Sequence, residues 1–373
     1  MKSEQGKSLK PNSCDVMVQP EDGIEPVVRA IESAKKRIEV LIFRFDRSEV
    51  EEALIAAVKR GVAVQALIAW TNRGGERNLR NLETRLLAAG VTVSRTADDL
   101  PRYHGKMMII DRRRLYLLAF NFTRLDIHLS RSFGVASNSR RLVEQAAKLF
   151  DADSCRQPYN PVAGGLVVSP LNAREELGAF LSAAKKELLI YDPCVGDPKM
   201  VRILEGRAKA GVKIRLIGSL KHSSGVFDVR PLAQMRLHTR TIVRDRRIAF
   251  VGSQSLRTAE LDGRREVGMF VNGRDAIETI TRVFEEDWQA SEIAVEQGLP
   301  LRGDKLAKKV AKAMTNELPP VGEVIKAVAA DLPSNTVSVD AMDLESLEES
   351  IRSAVKTVVK ETIQEAAGAG QDT

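Results

Sequence analysis

Apolar residues along this chain follow two alternating rhythms. Ile24, Val27, Val28 and Ile31 recur at the spacing of one helix face, and Ile38, Val40, Leu41, Ile42 and Phe43 then make the short apolar run of a strand. A second helix ends at Lys59-Arg60-Gly61 before a strand over Val62 to Ala69. Glycine suits the position just past a helix, where a positive φ costs it little. The plan returns further along. Leu177, Phe180, Leu181 and Ala184 mark a helix, Leu188-Leu189-Ile190-Tyr191 a strand, and Lys209-Ala210-Gly211 closes a helix before a strand over Val212 to Ile217. Helices alternating with short apolar strands predict an α/β fold whose sheet is covered by helices on both faces.

Each copy is about 140 residues, a usual domain length and too long for a solenoid unit, so the pattern predicts a duplicated domain with pseudo-two-fold symmetry. The expected domains are 14–157 and 158–295, divided where Gln157-Pro158-Tyr159-Asn160-Pro161 interrupts regular structure. Residues 296–373 change to short helix candidates broken by Pro319-Pro320 and Pro333. One carries Leu306, Val310 and Met314, another Leu344, Leu347, Ile351, Val355 and Val358. A helical, partly disordered C-terminal extension is expected. Its stripes read first as packing faces and second as faces for a membrane or a partner.

Composition narrows the classes. An apolar content of 43% is enough for packed cores. No apolar run approaches a membrane span, and Met1 to Asn12 is too polar for a secretory signal. A soluble, cytoplasmic chain is expected, with peripheral contact at the inner face of a membrane left open. Cys14, Cys155 and Cys194 are odd in number and lack ligand spacing, so neither a disulfide framework nor a zinc site is expected. Residues 301–373 carry a net charge of −3, which leaves +10 on the first 300. A basic body attracts nucleic acid, anionic lipid headgroups or phosphorylated small molecules. Aromatic residues at 5% argue against a base-stacking platform for single strands.

The candidate chemistry lies in a repeated frame. His104-Gly105-Lys106 is followed by Asp111, and His238-Thr239-Arg240 by Asp245, so each reads His-x-base-x-x-x-x-Asp. Only four histidines are present, at 104, 128, 222 and 238, and two fall in matching frames. On a strand the His and the cation two residues on share a face. There an imidazole serves as nucleophile, base or acid, and the cation stabilises charge on phosphoryl oxygens. His128 and His222 read as structural. Asn121 and Ser255 each stand ten residues past their motif aspartate, ending Leu118-Ala119-Phe120-Asn121 and Gly252-Ser253-Gln254-Ser255. Eleven residues later the second copy has Glu266 and the first Ser132. Blander readings stand beside these. Arg240 fits a solvated face with Arg236, Arg244, Arg246 and Arg247, Asn121 and Ser253 fit turns, and Glu266 fits a pair with Arg264 or Arg265.

Both frames and the segments after them resemble the phospholipase D superfamily over about residues 14 to 295. In that family the motif is commonly followed by Gly-Ser-x-Asn and then an acidic residue; here the first copy keeps the Asn and the second the Gly-Ser. The resemblance implies two tandem phospholipase D-like α-β-α sandwich domains and a cofactor-free, two-step mechanism through a phosphohistidine. By that resemblance His104, in the unaltered motif, is the nucleophile and His238 the acid and base. Lys106, Arg240, Asn121 and Ser253 bind phosphate, Asp111 and Asp245 orient the motif, and Glu266 orients a histidine. Arg240 departs from the usual Lys, keeping the charge in a planar fork. The activity implied is a phosphodiesterase or transphosphatidylase acting on phospholipids, like phospholipase D or the bacterial cardiolipin synthases. The alternatives are a metal-independent nuclease and a non-catalytic phosphate- or lipid-binding module, which Arg240 and Ser255 suggest.

Overall fold

The computed structural model describes residues 14–71, 76–221 and 225–296. The first half runs β1 (Cys14–Gln19), α1 (Glu25–Ser33), β2 (Arg37–Ile42), α2 (Ser48–Lys59), β3 (Ala63–Ile68), α3 (Glu76–Ala88), β4 (Thr92–Arg95), β5 (Met107–Ile110), β6 (Arg114–Leu118), α4 (Arg124–His128), β7 (Ser130–Ser137) and α5 (Arg140–Cys155). The second runs β8 (Leu166–Ser169), α6 (Ala173–Ser182), β9 (Glu187–Val195), α7 (Pro198–Lys209), β10 (Lys213–Leu220), β11 (Asp228–Arg230), β12 (Arg236–Leu237), β13 (Arg240–Arg244), β14 (Ile248–Gly252), α8 (Thr258–Asp262), β15 (Glu266–Val271) and α9 (Arg274–Glu296). The tail stripes and His222 lie outside the described residues.

Local chemistry sets many of these boundaries. α2 and α7 stop at Lys59 and Lys209, and Gly61 and Gly211 take φ of +82° and +89° just beyond them. Pro198 opens α7 behind Asp197, whose carboxylate accepts from the backbone N–H groups of Lys199 and Met200. At the β5–β6 and β13–β14 hairpins, Asp111-Arg112 and Asp245-Arg246 take positive φ at consecutive positions, the geometry of a tight hairpin turn.

The strands form two sheets, ordered β1-β7-β6-β5-β2-β3-β4 and β11-β10-β9-β13-β14-β15-β8. In each, the strands joined through α2 or α7 pair in parallel and the motif hairpin pairs antiparallel. β12 of the second half leaves its own sheet and pairs with β7 of the first.

Three apolar clusters fill the layers. Ile31, Leu54 and Leu82 belong to the cluster between the first sheet and α1, α2 and α3, and Leu181, Leu204 and Leu261 to its counterpart under α6, α7 and α8. The third cluster joins the inner faces of both sheets with α5 and α9 and includes Phe133, Phe150, Tyr191 and Phe284. The halves are therefore two α-β-α sandwiches that share their inner layer, with helices on both faces of each sheet as the pattern predicts. Among the described residues no helix is long and apolar enough to cross a membrane.

Candidate active site

The sequence pattern places each motif histidine within a strand; the structure corrects this. β5 begins at Met107 and β13 at Arg240, so His104, Lys106 and His238 lie on the approaches to those strands. The reason is a competing backbone partner from the other half. Tyr103 bridges in parallel to Arg265, and the N–H groups of His104 and Gly105 donate to the Arg265 carbonyl at 2.7 and 3.2 Å. In mirror fashion β12 runs along Ser130 and Arg131, and His238 N–H donates to the Arg131 carbonyl at 3.1 Å. Gly105 permits the close approach, because a Cβ there would meet Val267 of the other half at 2.8 Å.

The clamp residues are themselves anchored across the halves. Arg131 is buried and makes two bonds to Asp287 on α9, at 2.8 and 3.1 Å. Arg265, also buried, lies 3.3 Å from Asp153 on α5. Each arginine comes from one half and each aspartate from the other, so two ion pairs fasten the strands that carry the histidine clamps.

Both imidazoles line one cavity of about 530 Å³. Nδ1 of His104 is 2.8 Å from Glu266 Oε2, and its ring stands edge-on to Phe43 at 4.6 Å between centroids. Holding Nδ1–H on a carboxylate fixes the tautomer and leaves Nε2 with its lone pair. Burial, and then the charges of Lys106, Arg240, Arg102 and Arg264, hold the His104 pKa well below the ordinary histidine range. A neutral, hydrogen-bonded imidazole at pH 7 is a competent nucleophile. Burial also lowers the His238 pKa; Asp126 opposes it and Arg236, Arg240 and Lys106 assist.

The predicted residues separate into those on the cavity wall and those behind it. His104, His238, Arg240 and Asn121 line the cavity. Arg240 Nη1 donates to the His238 carbonyl at 3.0 Å and Nη2 lies 3.7 Å from Glu260. Lys106 is buried beside the cavity, donates to the His104 carbonyl at 2.6 Å, and is pushed by burial down to about 7. Glu266 is fully buried and reaches His104, whereas Arg264 turns to Glu260 and Arg265 to Asp153. Ser253 is behind the wall: it is fully buried and exchanges hydrogen bonds with the Val267 backbone. Asp111 and Asp245 sit far along their hairpins, where Asp111 accepts from the N–H groups of Lys35, Lys36 and Arg37, and Asp245 from those of Lys185, Lys186 and Glu187. They tie the turn before β2 and β9 to the motif. His128 is exposed at the end of α4.

Several wall residues escaped the sequence reading. Asp126 lies 3.3 Å from His238 Nδ1, and Arg44, Arg102, Arg236, Arg257 and Arg264 add positive charge. Arg236 reads as surface in sequence, yet it lines the cavity and donates to Asp126 at 2.6 Å. The signal available was the position of Asp126, five residues past Asn121, matched by Glu260 five past Ser255.

Comparison with known proteins agrees with this architecture. The profile of the family described as "Cardiolipin synthase, PLD-like domain" matches residues 27–154 and 177–288. Polyphosphate kinase of Pseudomonas aeruginosa is 24% identical over 332 residues, which cover 81% of this chain and 44% of that protein. The corresponding enzyme of Pseudomonas syringae is 25% identical, over 81% of this chain and 41% of its own length. This chain therefore spans less than half the length of the curated relatives it matches. Among solved structures, polyphosphate kinase from Porphyromonas gingivalis superposes with a TM-score of 0.63 at 18% identity, covering 73% of this chain and 50% of that one. Phosphatidylserine synthase of Haemophilus influenzae Rd KW20 superposes at 0.57 with 11% identity, covering 74% and 86%. With the profile matching both halves of a duplicated fold and the two motif histidines on one cavity, the chain belongs to the phospholipase D-like family typified by the PLD-like domain of cardiolipin synthase.

Proposed function

We propose that this cavity transfers a phosphoryl group through a covalent phosphohistidine on His104, with His238 as acid and base. The observation that carries the reading is the meeting of His104 and His238, one from each half, on a single wall with a carboxylate facing each Nδ1. In the first step the His104 Nε2 lone pair attacks phosphorus. The bond to the leaving oxygen breaks, and that oxygen keeps the bonding electron pair and takes the Nε2 proton of His238, which acts here as the imidazolium that Asp126 and the entering anion favour. In the second step His238 takes the proton of an incoming hydroxyl or water, whose oxygen attacks phosphorus and releases His104 Nε2. In this reading Lys106, Arg240 and Asn121 stabilise the equatorial oxygens.

An acyclic phosphate polyanion suits the wall better than a diacyl lipid. Six arginines line the cavity against three carboxylates, and its apolar members are Phe43, Phe45, Leu79 and Leu125, too few for two acyl chains. The relatives named polyphosphate kinase point the same way. A phospholipid phosphodiester is the second reading, favoured by the cardiolipin synthase description of the family profile.

The test uses the purified chain with 32P-labelled polyphosphate, labelled DNA, or phosphatidylglycerol vesicles with a primary alcohol. The expected result is an acid-labile, alkali-stable phosphohistidine from the polyphosphate arm, abolished by His104→Gln. His238→Gln is expected to lower turnover by about 10²–10⁴-fold. Product from the vesicle arm alone moves the assignment to the lipid reading and from the DNA arm alone to a nuclease. Anion binding without label in any arm overturns the enzymatic reading in favour of a binding module.

A further inference from the structure

The two halves align with a constant offset: His104 with His238, Asn121 with Ser255, Asp126 with Glu260, and Ser132 with Glu266. Under that symmetry the carboxylate holding His104 has no acidic mate. Glu266 reaches His104 across the halves at 2.8 Å, but its sequence equivalent in the first half is Ser132, whose buried hydroxyl has no hydrogen-bond partner among the described residues. Asp126 occupies the gap. Its Oδ2 lies 3.3 Å from His238 Nδ1, and that nitrogen has no hydrogen-bond partner among the described residues. Glu260, the mate of Asp126, does not serve its half in this way: it faces Arg240 at 3.7 Å and Arg264 at 3.2 Å.

We propose that Asp126 is the positioning residue of His238, holding Nδ1–H so that Nε2 faces the cavity, from a different place in the half than Glu266 uses for His104. Three contacts fix the carboxylate for this. Oδ2 accepts from the Asn121 backbone N–H at 2.8 Å and from Nδ2 of the same residue at 2.6 Å, and Oδ1 accepts from Arg236 at 2.6 Å. A buried carboxylate satisfied on both oxygens stays ionised, and a ring rotation of His238 brings its N–H into line. Arg236 and Arg131 complete the arrangement: the first neutralises Asp126, and the second holds the His238 backbone. The duplicated enzyme would thus have exchanged one orienting carboxylate for another while keeping both rings constrained.

This rests on His238 being the acid and base in the proposed function, so the experiment reads the ring directly and without turnover. With four histidines in the chain, the imidazole 15N resonances of the whole protein are few enough to assign by His104→Gln and His238→Gln. In the wild type His238 is expected as the Nδ1–H tautomer. Asp126→Asn is expected to lower its proton affinity about tenfold or more and to mix the two tautomers, leaving His104 unmoved. The charged groups facing His238 are Asp126, Arg236, Arg240 and Lys106, and the arginines and lysine are retained in the variant. Ser132→Glu in the Asp126→Asn background is expected to restore the Nδ1–H form. Should Asp126→Asn not fold, Ser132→Glu in the otherwise native chain is read instead, and a rise in His238 proton affinity supports the assignment. An unchanged His238 in Asp126→Asn overturns it. A failed phosphohistidine assay with the expected 15N result sinks only the catalytic reading.

Discussion

Lys106 is a cation in a place that resists one. Burial pushes its ammonium from 10.5 down to about 7, with Arg240 assisting and Glu266 opposing. Because the folded value lies below the unfolded one, the burial of this charge costs stability below about pH 7, and the cost is relieved as pH rises from there toward 10.5. If phosphate binds between Lys106 and Arg240, as proposed, its charge raises the ammonium pKa again. Phosphate binding between pH 7 and 8 is therefore expected to take up protons, seen in calorimetry as a heat that depends on the ionisation enthalpy of the buffer. Lys106→Met should bind more weakly and without the proton. Equal uptake in the variant would show that another group carries it. The Arg240 fork presents two donors where an ammonium presents a point charge. The histidines and their cations were legible because the same frame occurs twice. Asp126 was not, because its relation to His238 exists only after β12 crosses to β7.

The crossing elements carry the precision of the site. Arg131–Asp287 and Arg265–Asp153 are equivalent by the duplication, but they are not equally made: the first has two short bonds and the second one longer contact. Asp287→Ala removes the two bonds to Asp287 but leaves Arg131 with Glu21 at 2.6 Å and the Gln19 carbonyl at 2.9 Å, so it is expected to cost roughly 1.5–3 kcal/mol in urea unfolding, less than a fully stranded charge. Asp153 behaves differently. Burial pushes its carboxyl up from 3.8 to about 6, so the folded state holds this proton more tightly than the unfolded chain. The stability it contributes is present at low pH and is lost as pH rises from about 4 to 6. Asp153→Asn lacks that loss, and its stability relative to wild type should climb by roughly 2 kcal/mol across this interval and then level off. A flat difference from pH 4 to 7 would place the carboxyl's proton elsewhere. Periodicity made helices and strands readable here, and Gly61 and Gly211 marked their ends. The ion pairs were beyond it, since Arg131 and Asp287 are 156 residues apart and nothing local distinguishes a clamp arginine from a solvated one.

The shared inner layer makes the duplication one physical object. Phe133 of β7 and Tyr191 of β9 meet at 5.7 Å between ring centroids, and Tyr191 also donates to Asp287 on α9 at 2.5 Å. Neither half can retain its inner face in the dry state without the other, because α5 and α9 each pack between strands of both sheets. Sequence showed two copies but not this sharing, since an inward apolar face reads alike whether it meets its own helix or a neighbour's. The chain supplies its own test in two tryptophans. Trp70, at the end of β3, lies 42% exposed beside Arg95 in the first half, and Trp288 on α9 stacks on Phe284 and Arg230 in the second. In each single-tryptophan variant, Trp70→Phe and Trp288→Phe, the fluorescence transition should share its denaturant midpoint and slope with the far-UV circular dichroism transition of the same variant, as one cooperative unit requires. Phosphate binding should disappear at that midpoint too, because the wall needs His104 from one half and His238 from the other. Two separated midpoints would mean that the halves keep their own cores, and binding lost before either would place the weak joint at the strand crossings themselves.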